Sequence, residues 1–199
     1  ADIAPPRNSA LDVSYVGSKV CAACHRKLYD EYIRTPMGRS LVSLPAGKEA
    51  GAPPTSARVG GARPDRFYQV ERRDGALYQD EIVVDAQGQE LHRRSYKLEY
   101  VLGSVNGAGY LVKRGDFLVE APLSYYSRNR TWELSPGYEQ NDTGFNRPIE
   151  AGCIFCHSGR PQPVANRPGL FQARPFLEES IGCENCHGPG QLHAAGRGK

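Results

Sequence analysis

All six cysteines of the chain fall in one repeated pattern: two cysteines separated by two residues and followed at once by a histidine. The copies are motif 1 (Cys21–His25), motif 2 (Cys153–His157) and motif 3 (Cys183–His187). This spacing is typical of covalent attachment of haem c. The two thiols add to the vinyl groups of the porphyrin, and the adjacent histidine reaches the iron as its proximal ligand. The predicted cofactor-binding residues are therefore Cys21, Cys24, His25, Cys153, Cys156, His157, Cys183, Cys186 and His187.

Other uses of paired cysteines were weighed against this prediction. Disulfides occur in exported proteins, but they do not require a histidine after every second cysteine. Structural zinc also uses C-x-x-C pairs. It needs two pairs for each ion, however, so three pairs would leave one without a partner. Zinc remains the main alternative to three covalently bound haem c groups, called here haems 1, 2 and 3 after their motifs.

Covalent haem attachment also predicts a compartment. Haem c is normally added outside the cytoplasmic membrane, on an exported and reduced apoprotein. We therefore expect a periplasmic or extracellular protein, and the run Ala1–Pro6 resembles a mature start from which a signal peptide has been removed. The sequence contains no long apolar run, so no transmembrane segment is expected.

The polypeptide alone would form a thin hydrophobic core. Only 39% of the 199 residues are hydrophobic, and 22 glycines and 15 prolines occupy much of the remainder. Three porphyrins, each a large flat apolar body, would fill the missing interior. The formal net charge of +3 is too small to predict a nucleic-acid partner. The expected partners are redox proteins or extracellular electron acceptors.

Three six-coordinate irons need six axial ligands, and the motif histidines supply three of them. Three further candidates match the open positions: His193, Met37 and His92. His193 follows motif 3 after a Gly-Pro-Gly turn, and so short a segment favours a neighbouring haem over its own. Met37 follows a predicted helix and could reach back to haem 1, or simply fill an apolar gap. His92 lies in a predicted strand, as a surface residue or as a ligand of a haem in its own or a neighbouring chain.

The remaining sequence suggests four segments. They are residues 1–45 with haem 1 and a helix from Lys19 to Ile33, a Gly/Pro-rich linker at 46–65, an antiparallel β module at 66–145, and residues 146–199 with haems 2 and 3. In the β module, short apolar runs are separated by turn pairs: Asp74-Gly75, Gln87-Gly88, Asn106-Gly107 and Gly115-Asp116. We predict an α+β fold with much irregular coil, a haem-wrapped core, short helices at the motifs and a central antiparallel β module.

Two details of this division can be tested. The short, proline-rich stretch between motifs 2 and 3 predicts that haems 2 and 3 lie close together, with haem 1 apart from them. A group of aromatic residues is expected mainly in the core of the β module, with contacts to haem faces or a surface as the alternative. Its members are Tyr125, Tyr126, Trp132, Tyr138 and Phe145.

Three stretches resemble the multihaem c-type cytochromes related to the four-haem electron acceptor of hydroxylamine oxidoreductase. They run from Tyr15 through motif 1 to Met37, from Tyr100 to Tyr138, and from Gly182 to His193. The resemblance implies that His193 ligates the haem of His157 and that two haems stack as a pair. It also implies that copies can polymerise into extracellular filaments with haems stacked across subunits. The chain differs from the group in having three motifs and few spare histidines.

The leading functional hypothesis is therefore an electron-transfer cytochrome and not an enzyme, acting as a carrier or as the repeating subunit of a conductive filament. The rival hypothesis is a haem enzyme, such as a nitrogen-oxide reductase or a peroxidase. It requires one iron with an open distal position, which arises if His92 or Met37 is not a ligand. A third hypothesis is a haem-bearing binding module whose β segment recognises a partner.

Overall fold

The computed structural model describes residues 8, 12–44, 54, 56–103 and 105–196. The run Ala1–Pro6 and part of the predicted linker (46–53 and 55) lie outside the described residues. The described part combines short helices with antiparallel strands, which confirms the predicted α+β class.

The secondary-structure elements are short. The helices are α1 (Ser18–Ala22), α2 (Arg26–Tyr32), α3 (Ala151–His157), α4 (Glu184–His187) and α5 (Gln191–Ala195), with 3-10 turns at Met37–Arg39 and Gly144–Asn146. The strands are β1 (Leu41–Ser43), β2 (Ser56–Gly60), β3 (Arg66–Arg73), β4 (Ala76–Val84), β5 (Glu90–Lys97), β6 (Tyr100–Leu102), β7 (Gly109–Arg114), β8 (Phe117–Glu120), β9 (Leu123–Tyr126), β10 (Thr131–Leu134), β11 (Arg160–Pro163) and β12 (Phe171–Glu178). No helix in the described ranges is long and apolar enough to cross a membrane.

One four-stranded sheet has the order β2-β3-β4-β5, so each strand pairs with its neighbour in sequence. The turn between β3 and β4 is the predicted Asp74-Gly75 pair, and both residues have positive φ, 50° and 76°. Two-residue hairpin turns need this conformation to match the strand twist, and Asp-Gly adopts it at little cost. Strand β2 lies inside the predicted linker at 46–65. It pairs with β3, with Ser56 opposite Glu71 at one end and Gly60 opposite Phe67 at the other. The linker prediction is therefore wrong for these residues.

A second four-stranded sheet has the order β1-β6-β7-β8. Its edge strand β1 follows the motif 1 helices and pairs with β6, with Leu41 opposite Leu102. The first predicted segment is thus joined to the β module by backbone hydrogen bonds. Two hairpins complete the strands, β9 with β10 and β11 with β12.

Two apolar clusters hold these layers together. The larger lies in the β module and contains the fully buried Tyr68 and Phe145 together with Trp132. Tyr138 is also fully buried, whereas Tyr125 and Tyr126 are half-buried. These positions agree with the prediction that the aromatic group belongs mainly to the module core. The smaller cluster joins Leu41 of β1, Ile154 of α3 and Phe176 of β12, and so anchors the motif 2 helix on the second sheet.

Candidate haem-binding site

Motif 1 occupies the junction of α1 and α2. The predicted single helix from Lys19 to Ile33 is interrupted there, because His25 leaves helical geometry with φ −111° and ψ 41°. The backbone N–H groups of Cys24 and His25 both donate to the carbonyl oxygen of Cys21, at 3.2 and 2.9 Å. This tight turn holds the two thiols and the imidazole of the motif on one short stretch of chain.

Motif 2 forms most of helix α3. Ile154, between its two cysteines, is fully buried, while Cys153 and Cys156 are exposed. The carbonyl oxygen of His157 accepts a hydrogen bond from Ser40 Oγ at 2.7 Å. Motif 2 is therefore attached to the segment that follows motif 1.

Motif 3 packs directly against the start of motif 1. The backbone N–H of Cys183 donates to Ser18 Oγ at 2.8 Å, and Ser18 is buried. The phenol of Tyr32 in α2 donates to the carbonyl oxygen of Ile181 at 2.9 Å. Motif 3 also approaches the chain after motif 2, since the Asn185 amide donates to the carbonyl oxygen of Gly159 at 3.4 Å. Motif 3 thus contacts the surroundings of both other motifs.

The contact between Cys183 and Ser18 brings the first cysteines of motifs 1 and 3 into the same region. Burial raises the pKa of the Cys21 thiol above its ordinary value, and the Cys183 and Glu184 side chains act in the same direction. This arrangement differs from the expectation that haem 1 stands apart, because motif 1 shares its immediate surroundings with motif 3.

The imidazole rings of His25 and His193 are neighbours and nearly parallel. Their centres are 6.1 Å apart and their planes differ by 15°. A metal–imidazole nitrogen bond is about 2 Å long, and the ring centre lies about 1 Å beyond the nitrogen, so two imidazoles on opposite sides of one metal have centres about 6 Å apart. The pair thus has the spacing of two axial ligands of one iron. It favours haem 1 as the target of His193, whereas the family resemblance implied the haem of His157.

The two other candidate ligands are not paired in this way. Met37 is 47% exposed and begins the 3-10 turn that leads to Ser40, the residue bound to motif 2. His92 is exposed on β5, an edge strand, opposite Val83. Among the described residues, His25 and His193 form the only pair of histidine rings in contact.

Exposed apolar side chains are concentrated around the motifs. Twelve large hydrophobic residues of the described chain are exposed, and nine of them lie between Tyr15 and Val42 or between Phe155 and Leu192. They include Val20 inside motif 1 and Phe155 inside motif 2. Such an excess of exposed apolar surface marks a place where another apolar body binds. This distribution is compatible with porphyrin groups attached at the motifs.

A metal ion bound directly by cysteine pairs of two motifs is the alternative to haem. Within the ranges that the structure describes, no group of three or more His, Cys, Asp or Glu side chains is arranged to hold a metal ion.

Comparison with known proteins gives two similarities. The model of the family "Cytochrome c554 and c-prime" matches residues 128–188, which include motifs 2 and 3. No curated protein matches the chain. Among solved structures, the chain is similar to the outer cell wall cytochrome OcwA, with 21% sequence identity and a TM-score of 0.52. The match covers 93% of this chain and 34% of the OcwA chain, so this chain spans about a third of the length of OcwA.

The family match and the three attachment motifs support a multihaem c-type cytochrome. The similarity to OcwA shows a shared fold. The family model matches fewer than half of the residues of the chain. The particular relation to the electron acceptor of hydroxylamine oxidoreductase stays a prediction.

Several residues that build this site were not found from the sequence. Ser18, Ser40 and Glu184 connect the motifs through hydrogen bonds between residues more than 100 positions apart. Serine and glutamate are common surface residues, and the middle positions of C-x-x-C carry no fixed chemistry. Their role becomes visible only when the fold brings the motifs together.

Proposed function

We propose that the chain is a three-haem c-type cytochrome that transfers electrons to redox partner proteins or extracellular acceptors. The observation that carries the proposal is the neighbouring pair of His25 and His193, whose separation of 6.1 Å suits two axial ligands of one iron. When bound, the haems supply reversible one-electron exchange. The chain supplies the thiols, the axial imidazoles and a partly apolar surround.

The contacts between the motifs support an order of electron passage. Motif 3 touches motif 1 through Cys183 and Ser18, and it approaches the end of motif 2 through Asn185. We therefore propose that haem 3 lies between haems 1 and 2. The sequence had instead predicted that haems 2 and 3 form a close pair and that haem 1 lies apart from them. Electrons would then cross the molecule in the order 1, 3, 2 or the reverse.

The remaining distal positions motivate two competing hypotheses. With His193 opposite His25, Met37 is left for haem 2, and its proximity to Ser40 and motif 2 supports that assignment. Haem 3 then lacks a distal ligand unless His92 of a second copy supplies it, and His92 is exposed on an edge strand. If a second copy supplies it, the chain is the repeating subunit of a filament. If no residue supplies it, haem 3 has an open position, as a nitrogen-oxide reductase or peroxidase would need.

An extracellular or periplasmic location is part of the proposal. Haem c attachment and the similarity to part of an outer cell wall cytochrome both support it.

The proposal can be tested on protein exported from a host that attaches haem c. We expect the intact mass to show three haem additions, with iron and not zinc as the bound metal, and spectra dominated by low-spin haem. A mass without haem, or zinc in place of iron, would overturn the function. Binding of carbon monoxide or nitrite to one haem would favour the enzyme. Electron microscopy separates the other outcomes, since discrete particles at every concentration would exclude the filament.

A further inference from the structure

Glu184 is a buried acidic side chain inside motif 3, between its two cysteines. It is 4% exposed, and its carboxylate accepts hydrogen bonds from three backbone N–H groups. Val16 donates at 2.9 and 3.1 Å, Gly17 at 2.6 Å and Gly190 at 2.7 Å. A buried carboxylate is stable only when its oxygens are fully hydrogen-bonded, and these donors satisfy that requirement.

The donors belong to the two chain segments that carry the neighbouring imidazoles. Val16 and Gly17 lead directly into α1, and Gly17 is the N-cap of that helix. Gly190 is the N-cap of α5, which carries His193. One carboxylate therefore joins the entry to the helix before His25 and the entry to the helix of His193.

The α5 helix needs such an attachment. It has five residues, and isolated helices of this length are unstable in water. All of its described residues are exposed, so it has no buried face of its own. Its other tie to the N-terminal segment is the side chain of Gln191, whose Oε1 accepts the N–H of Ser14 at 2.7 Å. Without these ties nothing would keep His193 at ligand distance from the iron of haem 1, and a site must be held to within about 0.5 Å to function.

We propose that Glu184 is a positioning residue for haem 1, although it lies in the motif that attaches haem 3. It fixes the spacing between His25 and His193 and so keeps the first iron six-coordinate. The inference rests on the proposed function, because it assumes that haem c is attached at motif 1.

The test replaces Glu184 in the haem-loaded protein and measures the spin state of the haems. E184Q keeps the size of the side chain, but its amide group brings an N–H₂ donor against the backbone N–H groups. We expect three haems by mass, with about one third of the haem absorbance converted from low to high spin. Added imidazole should restore the low-spin spectrum. H193A should convert the same fraction of the haem absorbance to high spin. The double variant E184Q/H193A should convert no more than either single variant does.

E179Q is the matched control. Glu179 also accepts a backbone N–H, from Ser43 at 2.9 Å, but it makes no described contact with α5. It should lower stability while leaving the spin states of the haems as they are in the wild type. If E184Q does not fold, the spin state of haem 1 is measured in E184D instead. The shorter side chain keeps its charge but should displace α5, so haem 1 should again become high-spin. Low-spin haem 1 in every Glu184 variant that folds would overturn the inference. Wild-type protein without haem would instead overturn the proposed function.

Discussion

His25 and His193 lie 168 positions apart in the sequence, yet their imidazole rings are nearly parallel with centres 6.1 Å apart. This arrangement underlies the proposal that His193, near the C-terminal end of the described chain, is the distal ligand of the N-terminal haem. On that proposal, Met37 is left for another haem.

Replacing His193 by methionine should preserve a six-coordinate iron while changing its redox behaviour. A thioether opposite a histidine raises the reduction potential relative to two histidines. We expect H193M to remain low-spin and one of the three potentials to rise. Spectroelectrochemical titration measures this change, with L192A on the same helix as the control. Unchanged potentials in H193M would mean that His193 does not ligate an iron.

Removing single haems should reveal which ones are adjacent. The contact of Cys183 with Ser18, at the start of the motif 1 helix, predicts strong electronic coupling between haems 1 and 3. The double variant C153A/C156A, which removes haem 2, should keep the two-signed circular dichroism band of coupled haems. C183A/C186A, which removes haem 3, should lose most of it. Coupling that survives the loss of haem 3 would contradict the order 1, 3, 2.

Asp80 should contribute strongly to the stability of the β module without affecting haem. Its side chain is 1% exposed and is paired with both Arg73 and Arg93. Removing one partner of a buried ion pair leaves uncompensated charge, so D80N should lower the free energy of unfolding by about 2–3 kcal/mol. Chemical denaturation checks this value. E90Q breaks a more exposed contact of the same Arg93 and should lower the free energy of unfolding much less than D80N does.

The contribution of Asp142 to the stability of the fold should be lost in acid. Burial alone would raise the pKa of this carboxyl, but hydrogen bonds from Tyr68, the Gly144 N–H and Arg66 outweigh it, and the pKa is lowered from the ordinary value of 3.8. A group with a lowered folded-state pKa stabilises the fold above its unfolded-state value, and that contribution disappears as the pH falls through the folded-state value.

The difference in stability between wild type and D142N should therefore be largest above about pH 4 and shrink below it. Denaturation midpoints measured from pH 7 to pH 2 test this dependence. D65N is the control, since Asp65 also has a lowered pKa beside Arg63 but is exposed. A constant difference between wild type and D142N at all pH values would exclude Asp142 as the titrating group.

The local parts of this structure were readable from the sequence because they depend on neighbouring residues. Asp74-Gly75 forms the predicted hairpin turn, and the alternating runs form strands. Ser56–Gly60 was missed because a strand at the edge of a sheet, with alternate residues exposed, resembles a polar linker.

The assembly of the motifs could not be predicted in the same way. It depends on Ser18 meeting Cys183, Ser40 meeting His157 and Glu184 meeting Val16. These contacts close loops of more than 100 residues and leave no periodic signal in the sequence. The ligand count made His193 a candidate ligand, but only the fold shows that its ring lies beside that of His25.

The attachment of Glu184 to Val16 and Gly17 has a consequence for biogenesis. If the chain is exported from its N-terminus, as the proposed location implies, motif 1 leaves the membrane first, whereas Glu184 follows 168 residues after Val16. The earliest haem to be attached would be the last to obtain its full ligand set. In the interval its iron would be accessible to small molecules, so maturation would end with the closing of this contact.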